Sequence, residues 1–141
     1  MRIVLDTNVL VAGLLSPFGP PGEIVRMVSS GEVTLCFDAR ILAEYGEVLR
    51  RPRFGFDEDE AALLLDYVEN RGHTVASSPL AEALPDPDDE PFLEIAVAGR
   101  AECLVTGNLS HFPAALRREA VVLSSHEFLA LCRKRHDHEA D

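Results

Sequence analysis

The chain has no tryptophan and, in 141 residues, only two tyrosines and seven phenylalanines. No aromatic platform for stacking bases is visible in it. It has three cysteines, Cys36, Cys103 and Cys132. An odd number with no metal-ligand spacing argues against both a disulfide framework and a thiolate metal site, and leaves buried reduced thiols. No apolar run approaches the roughly 18 residues of a membrane span, and Arg2 is followed by too few apolar residues before Asp6 for a secretory signal. Both point to the cytoplasm and away from membranes. Positive charge is also scarce: 13 Lys and Arg stand against 24 Asp and Glu, a formal net charge of −11. That balance excludes holding nucleic acid by bulk attraction, so any such role must work through a local basic patch or through bound cations. What remains is a globular composition, 47% hydrophobic. With no repeat and no long linker, the reading is one domain over residues 1–135 followed by a disordered tail, 136–141.

Apolar periodicity alternates between strand and helix along the chain. Ile3 to Leu5 is a short run suited to a strand buried on both faces. Val9 to Leu15 reads as a helix, stopped by the breaker cluster Ser16 to Gly22. Ile24 to Ser30 predicts a second helix with Gly31 at its C′ position, and Val33 to Phe37 a second strand. Asp38 caps a third helix that runs to about Arg51 and stops at Pro52. A fourth helix starts from the capping pair Asp57 and Glu60 and ends near Gly72. Thr74 to Ala76 is a short strand, Ser77 to Pro91 a loop, and a fifth helix follows. Cys103 to Val105 and Ala120 to Leu123 complete the strands, and Ser124 with Glu127 opens a sixth helix reaching about Lys134. Strands alternating with helices predict an α/β fold, a central parallel sheet in a three-layer α/β/α arrangement.

Several acids fall at informative places in this layout. Asp6 sits where the first strand gives out, and in open α/β sheets ligands bind at the carboxyl ends of strands. It suits equally the N-cap of the helix beginning near Asn8. In the third helix, Ile41, Leu42, Tyr45, Val48 and Leu49 make one buried stripe. Glu47 lies nearly opposite, whereas Glu44 lies about 100° from the stripe's centre, on the border between core and water. It either leans into a cleft or is a solvated flank residue. Asp86-Pro-Asp-Asp-Glu90 reads most simply as a solvated acidic loop. Projected back along the fifth helix, however, Asp89 falls within roughly 20° of the apolar centre set by Phe92, Leu93 and Ala96. Glu90 projects far from it and Asp88 towards its edge. Asn108 follows another strand end. If Asp6, Glu44, Asp89 and Asn108 meet, the carboxylates repel one another unless a hard cation such as Mg²⁺ or Mn²⁺ joins them. Arg50, Arg51 and Arg53 either bind phosphate or complement a helix C-terminus.

Taken in order, Asp6-Thr-Asn-Val-Leu10, Leu42-Ala-Glu-Tyr-Gly-Glu-Val-Leu49, Asp86-Pro-Asp-Asp89 with Phe92-Leu93, and Val105-Thr-Gly-Asn108 with His111-Phe-Pro113 resemble PIN-domain ribonucleases. The nearest likeness is to the toxin components of VapC-like toxin–antitoxin pairs. That resemblance implies a Mg²⁺- or Mn²⁺-dependent endoribonuclease acting on single-stranded or structured RNA, often a homodimer, neutralised by a cognate antitoxin. It assigns Asp6, Glu44 and Asp89 as metal ligands and catalytic acids, with Asn108 beside them. Asn8 and Thr106 become groups that orient the ligands, and Asp86 becomes a supporting acid, with Asp88 a substitute for either neighbour. Asn108 departs from the pattern, since many members carry an acid there and an amide adds no charge. Two other readings compete: a PIN domain of weak catalysis that binds RNA or an antitoxin, and a phosphoryl-accepting receiver-like domain. The second lacks a lysine near the last strand's end to hold a phosphoryl group.

Overall fold

The computed structural model describes residues 1–140, and side-chain surroundings as far as residue 138. The strands are β1 (Arg2–Leu5), β2 (Thr34–Phe37), β3 (His73–Thr74), β4 (Cys103–Val105) and β5 (Val122–Leu123). The helices are α1 (Thr7–Leu15), α2 (Pro20–Ser30), α3 (Ala39–Leu49), α4 (Glu58–Arg71), α5 (Glu90–Ala98) and α6 (Ser125–Ala140). All strand pairings are parallel, in the order β3-β2-β1-β4-β5. This is the α/β/α arrangement expected from the alternation of strand and helix.

β1 is the central strand, and its composition follows from that position. Ile3, Val4 and Leu5 are fully buried, and each such side chain contributes roughly 1.5–3 kcal/mol over an exposed one. From β1 the chain passes to β2 and β3 on one side, then returns to β4 on the other. The direction of winding therefore reverses between β1 and β4, and a crevice opens beyond the carboxyl ends of those two strands. Tyr45 of α3 is completely buried, and its hydroxyl donates to the carbonyl of Leu5. This satisfies the polar tip of a core residue and fixes α3 against the end of β1.

Departures from the sequence reading are local. The Ser16 to Gly22 cluster does not keep the chain out of helix, because α2 begins at Pro20 with both prolines in its first turn. Proline is tolerated there, where backbone N–H groups have no partner within the helix. Gly22 is needed in that turn: a Cβ would stand 2.1 Å from the Pro17 carbonyl oxygen. β3 lies at His73–Thr74, one residue earlier than expected, and β5 is shorter. α6 continues through Ala140, so residues 136–140 are helical where a disordered tail was expected; Asp141 lies outside the described residues. The predicted capping box does form, with Ser124 N donating to Glu127 Oε1 at 2.9 Å and Glu127 N to Ser124 Oγ at 3.1 Å.

Candidate functional site

Asp6 opens the site. It precedes α1 but makes no side-chain cap, which removes the capping alternative. Instead Thr106, just past β4, donates from Oγ1 to Asp6 Oδ2 at 2.8 Å. The register Leu5 opposite Val105 sets up that pairing, one residue beyond each strand. Asp6 and Thr106 are both buried. Burial pushes the Asp6 carboxyl up from 3.8 to about 6; the Thr106 hydrogen bond opposes the rise, and the charges of Asp89 and Glu44 reinforce it.

Glu44 is half-buried and Glu47 exposed, as the helical projection of α3 predicted. The Glu44 carboxylate accepts from the hydroxyl of Thr7, which ties α3 to the first turn of α1. Asp89 ends a 3₁₀ turn, Pro87–Asp89, immediately before α5, and is buried without capping that helix. Its Oδ2 is buried with no hydrogen-bond partner. His111 Nδ1 stands 3.2 Å from that oxygen, close enough for charge to be felt but not aligned to donate. Burial raises the Asp89 pKa; His111 lowers it, and Asp86, Glu44 and Asp88 raise it further.

The remaining predicted residues take different parts. Asn8 is exposed and its Oδ1 accepts from Gly107 N at 3.2 Å, joining α1 to the loop after β4. Asp86 caps the 3₁₀ turn through Asp88 N at 2.9 Å, while Asp88 itself is exposed. The Asn108 amide is already engaged: Oδ1 accepts from Ser110 at 2.7 Å, and Nδ2 lies 2.8 Å from His111 Nε2. One groove of about 420 Å³ runs from Asp6 and Glu44 past Val48 to Arg51, Arg53 and Phe54. Arg50 does not line it. Arg51 is held by Glu47 one turn earlier, with Nη2 to Oε2 at 2.8 Å.

Other features were not anticipated. Glu94 lies on α5 among apolar neighbours, yet it is buried and pairs with Arg40, Nη1 to Oε1 at 2.9 Å. Arg40 also reaches Asp38 at 2.7 Å and Ser77 at 3.2 Å. An acid inside an otherwise apolar helix is the signal that could have exposed this cluster. His111, which links Asn108 to Asp89, could have been read from its spacing of three residues from Asn108. Phe54 and Phe56 stack, with ring centroids 5.8 Å apart, where composition had suggested no aromatic platform.

The donor set suits a hard divalent cation: carboxylates that feel one another's charge, one of them with a buried oxygen left without a partner. Among the described residues, no three His, Cys, Asp or Glu side chains are placed closely enough to hold a metal ion together. What fits a hard ion is the donor chemistry of Asp6 and Asp89, the latter with its unpartnered buried oxygen, since Mg²⁺ is commonly held by one or two carboxylates and keeps several waters.

A model of the PIN domain matches residues 2–110. The chain is 23% identical over 111 residues to the uncharacterized protein MJ1680 of Methanocaldococcus jannaschii, spanning 77% of this chain and 71% of that protein. Among solved structures it is similar to VapBC2 of Rickettsia felis, described as bound to a DNA fragment from its promoter. That match has a TM-score of 0.58 and 16% identity, over 88% of this chain and 98% of the other. It is also similar to FitAcB of Neisseria gonorrhoeae, with a TM-score of 0.53 and 18% identity over 89% and 99%.

Proposed function

The chain belongs to the PIN-domain family, and from that premise we propose that it is a Mg²⁺- or Mn²⁺-dependent endoribonuclease, the toxin of a toxin–antitoxin pair. What supports the reading is that Asp6, Glu44 and Asp89 feel one another's charge near the winding reversal, with no arginine or lysine paired to any of them among the described residues. When bound, a divalent ion supplies Lewis acidity, lowering the pKa of water and offsetting charge on the phosphate. Asp6 and Asp89 would hold it, and Glu44 would hold it directly or through water. Thr106 would occupy one Asp6 oxygen and leave the other for the ion. Thr7 does the same for Glu44. Arg51 and Arg53 then meet the backbone of the RNA strand along the groove.

The antitoxin partner is supported by the likeness to VapBC2 of Rickettsia felis. The homodimer is carried over from the family resemblance alone. No helix among the described residues is long and apolar enough to cross a membrane. A second reading, a PIN domain that binds RNA or an antitoxin and cleaves poorly, is favoured by one observation: Asn108 stands where an acid would add charge, and its amide is engaged by Ser110 and His111.

The test is cleavage of single-stranded RNA with Mn²⁺ or Mg²⁺, with EDTA and Asp89→Ala controls. Cleavage abolished in both controls is the expected result. RNA or antitoxin binding that survives Asp89→Ala, with no cleavage by the native protein, would replace the first reading with the second.

A further inference from the structure

We propose that Arg53, Phe54 and Phe56 form a nucleobase-stacking subsite beside Asp6 and Glu44, holding one unpaired base of the strand while Arg51 meets its phosphate. The proposal rests on the nuclease reading of the same groove and adds what decides where a strand lies in it. Four observations carry it. The Phe54 and Phe56 rings stack at 5.8 Å with 24° between their planes. The Arg53 guanidinium carbon lies 4.7 Å from the Phe54 centroid. Phe54, Arg51 and Arg53 line the same groove as Asp6 and Glu44. The fourth is the backbone that assembles the ladder: Gly55 has φ +67°, a left-handed conformation that L side chains rarely adopt. It ends the 3₁₀ turn between the two phenylalanines, whose rings stack although they are two residues apart.

Both rings also pack partly against the core, and anchoring the 3₁₀ turn Pro52–Phe54 would by itself explain an apolar pair. It does not explain Arg53. Among the described residues, no carboxylate lies within ion-pair distance of its guanidinium, whereas Arg51 is paired with Glu47. In a chain of net charge −11, an exposed arginine laid over an aromatic ring and left without an acid presents a cationic, flat surface. Aromatic rings and guanidinium planes are the surfaces on which unstacked bases are held, whatever the base, because every base has a π-face. A base inside a duplex has no face to offer, so the subsite selects unpaired stretches. It also fixes the step between the held base and the carboxylates, and hence which phosphodiester is presented to them.

The test is fluorescence anisotropy in EDTA, which keeps the strand intact, using a labelled single-stranded RNA and an abasic ribose-phosphate strand of equal length and charge. The native protein should bind the base-bearing strand about ten-fold more tightly than the abasic one, as the loss of one stacking contact implies. Phe54→Leu, which keeps apolar packing, should close that gap, and Phe54→Tyr should preserve it. Arg53→Gln, at an exposed position, should narrow the gap without loss of thermal stability, which covers the case of a poorly folded Phe54 variant. Equal binding of both strands by the native protein overturns the subsite. If that protein still cleaves RNA with Mn²⁺, the nuclease reading stands without it; if it neither binds nor cleaves, both fall. Displacement of both strands by an apolar, arginine-containing peptide, with no gap between them, would assign the groove to a protein partner and likewise overturn the proposal.

Discussion

At the end of β2, Asp38 and the buried Glu94 share the guanidinium of Arg40, at 2.7 and 2.9 Å. One strand away, at the end of β1, Asp6, Glu44 and Asp89 hold only hydroxyls and a misaligned imidazole. The two groups lie on the same rim and draw on the same two helices, since α3 carries Arg40 and Glu44 while Asp89 immediately precedes α5 and Glu94 lies in its middle. What differs is the source of the counter-charge. The β2 group has its cation built into the chain, whereas the β1 group has none, and burial, reinforced by mutual repulsion, raises the pKa values of Asp6 and Asp89. A fold that can place an arginine at one such cluster and omits it at the next leaves the second open to a cation from solution.

The comparison breaks most sharply at Asp6. Asp6→Asn keeps the shape and the acceptor for Thr106 but removes a charge, so RNA cleavage should fall by about 100-fold or more. Stability of the metal-free protein near neutral pH should rise, because a buried, repelled carboxylate is gone. Cleavage retained within a few-fold would show that the β1 group is not the reaction centre.

The same residue gives the molecule a pH dependence of opposite sign to that of an ordinary salt-bridged acid. Asp6 titrates near 3.8 when exposed and at about 6 in the folded chain, so between those values the native state binds more protons than the unfolded one. Stability in EDTA should therefore decline as pH rises through this window, by about 3 kcal/mol at most from Asp6. The raised pKa of Asp89 acts in the same direction. Saturating Mg²⁺ should flatten or reverse the slope. Chemical denaturation across the window measures it, and an EDTA profile that rises instead would contradict the uncompensated state of the β1 group.

Arg40→Leu sharpens the comparison from the other side, by making the β2 group resemble its neighbour. Glu94 would be left buried without its partner, and the cost should be about 2 kcal/mol, below that of a fully buried pair because the Arg40 side chain is 47% exposed. Added Mn²⁺ should recover part of it. A variant as stable as the native protein would mean that Arg40 neutralises nothing.

The two groups also differed in how far they could be read from sequence. Asp6, Glu44 and Asp89 were each legible because they break a pattern that the chain states locally: the end of an apolar run, the border of a helical stripe, the start of an apolar face. Most of the helices and strands were legible for the same reason. Arg40 and Glu94 were not, since their pairing crosses from α3 to α5 and no local period records a distant partner. Phe54 and Phe56 were missed because their stacking depends on the left-handed backbone of Gly55. Prolines at 20 and 21 were misread as breakers because first-turn placement depends on where the helix begins.

The smallest effect is expected at Asn108, and it decides whether the β1 group extends to that residue. An aspartate there could still accept from Ser110 and from a protonated His111 Nε2, the two groups that now hold the amide. The local backbone would therefore stay in place while one negative charge is added near Asp89, to which His111 is the link. Through partly screened surroundings, a charge of that kind should tighten divalent binding by roughly three- to ten-fold. Calorimetry of Mg²⁺ and Mn²⁺ with native protein and Asn108→Asp measures it directly. Unchanged or weaker affinity would place Asn108 outside the cation's reach, leaving it to position His111 against Asp89.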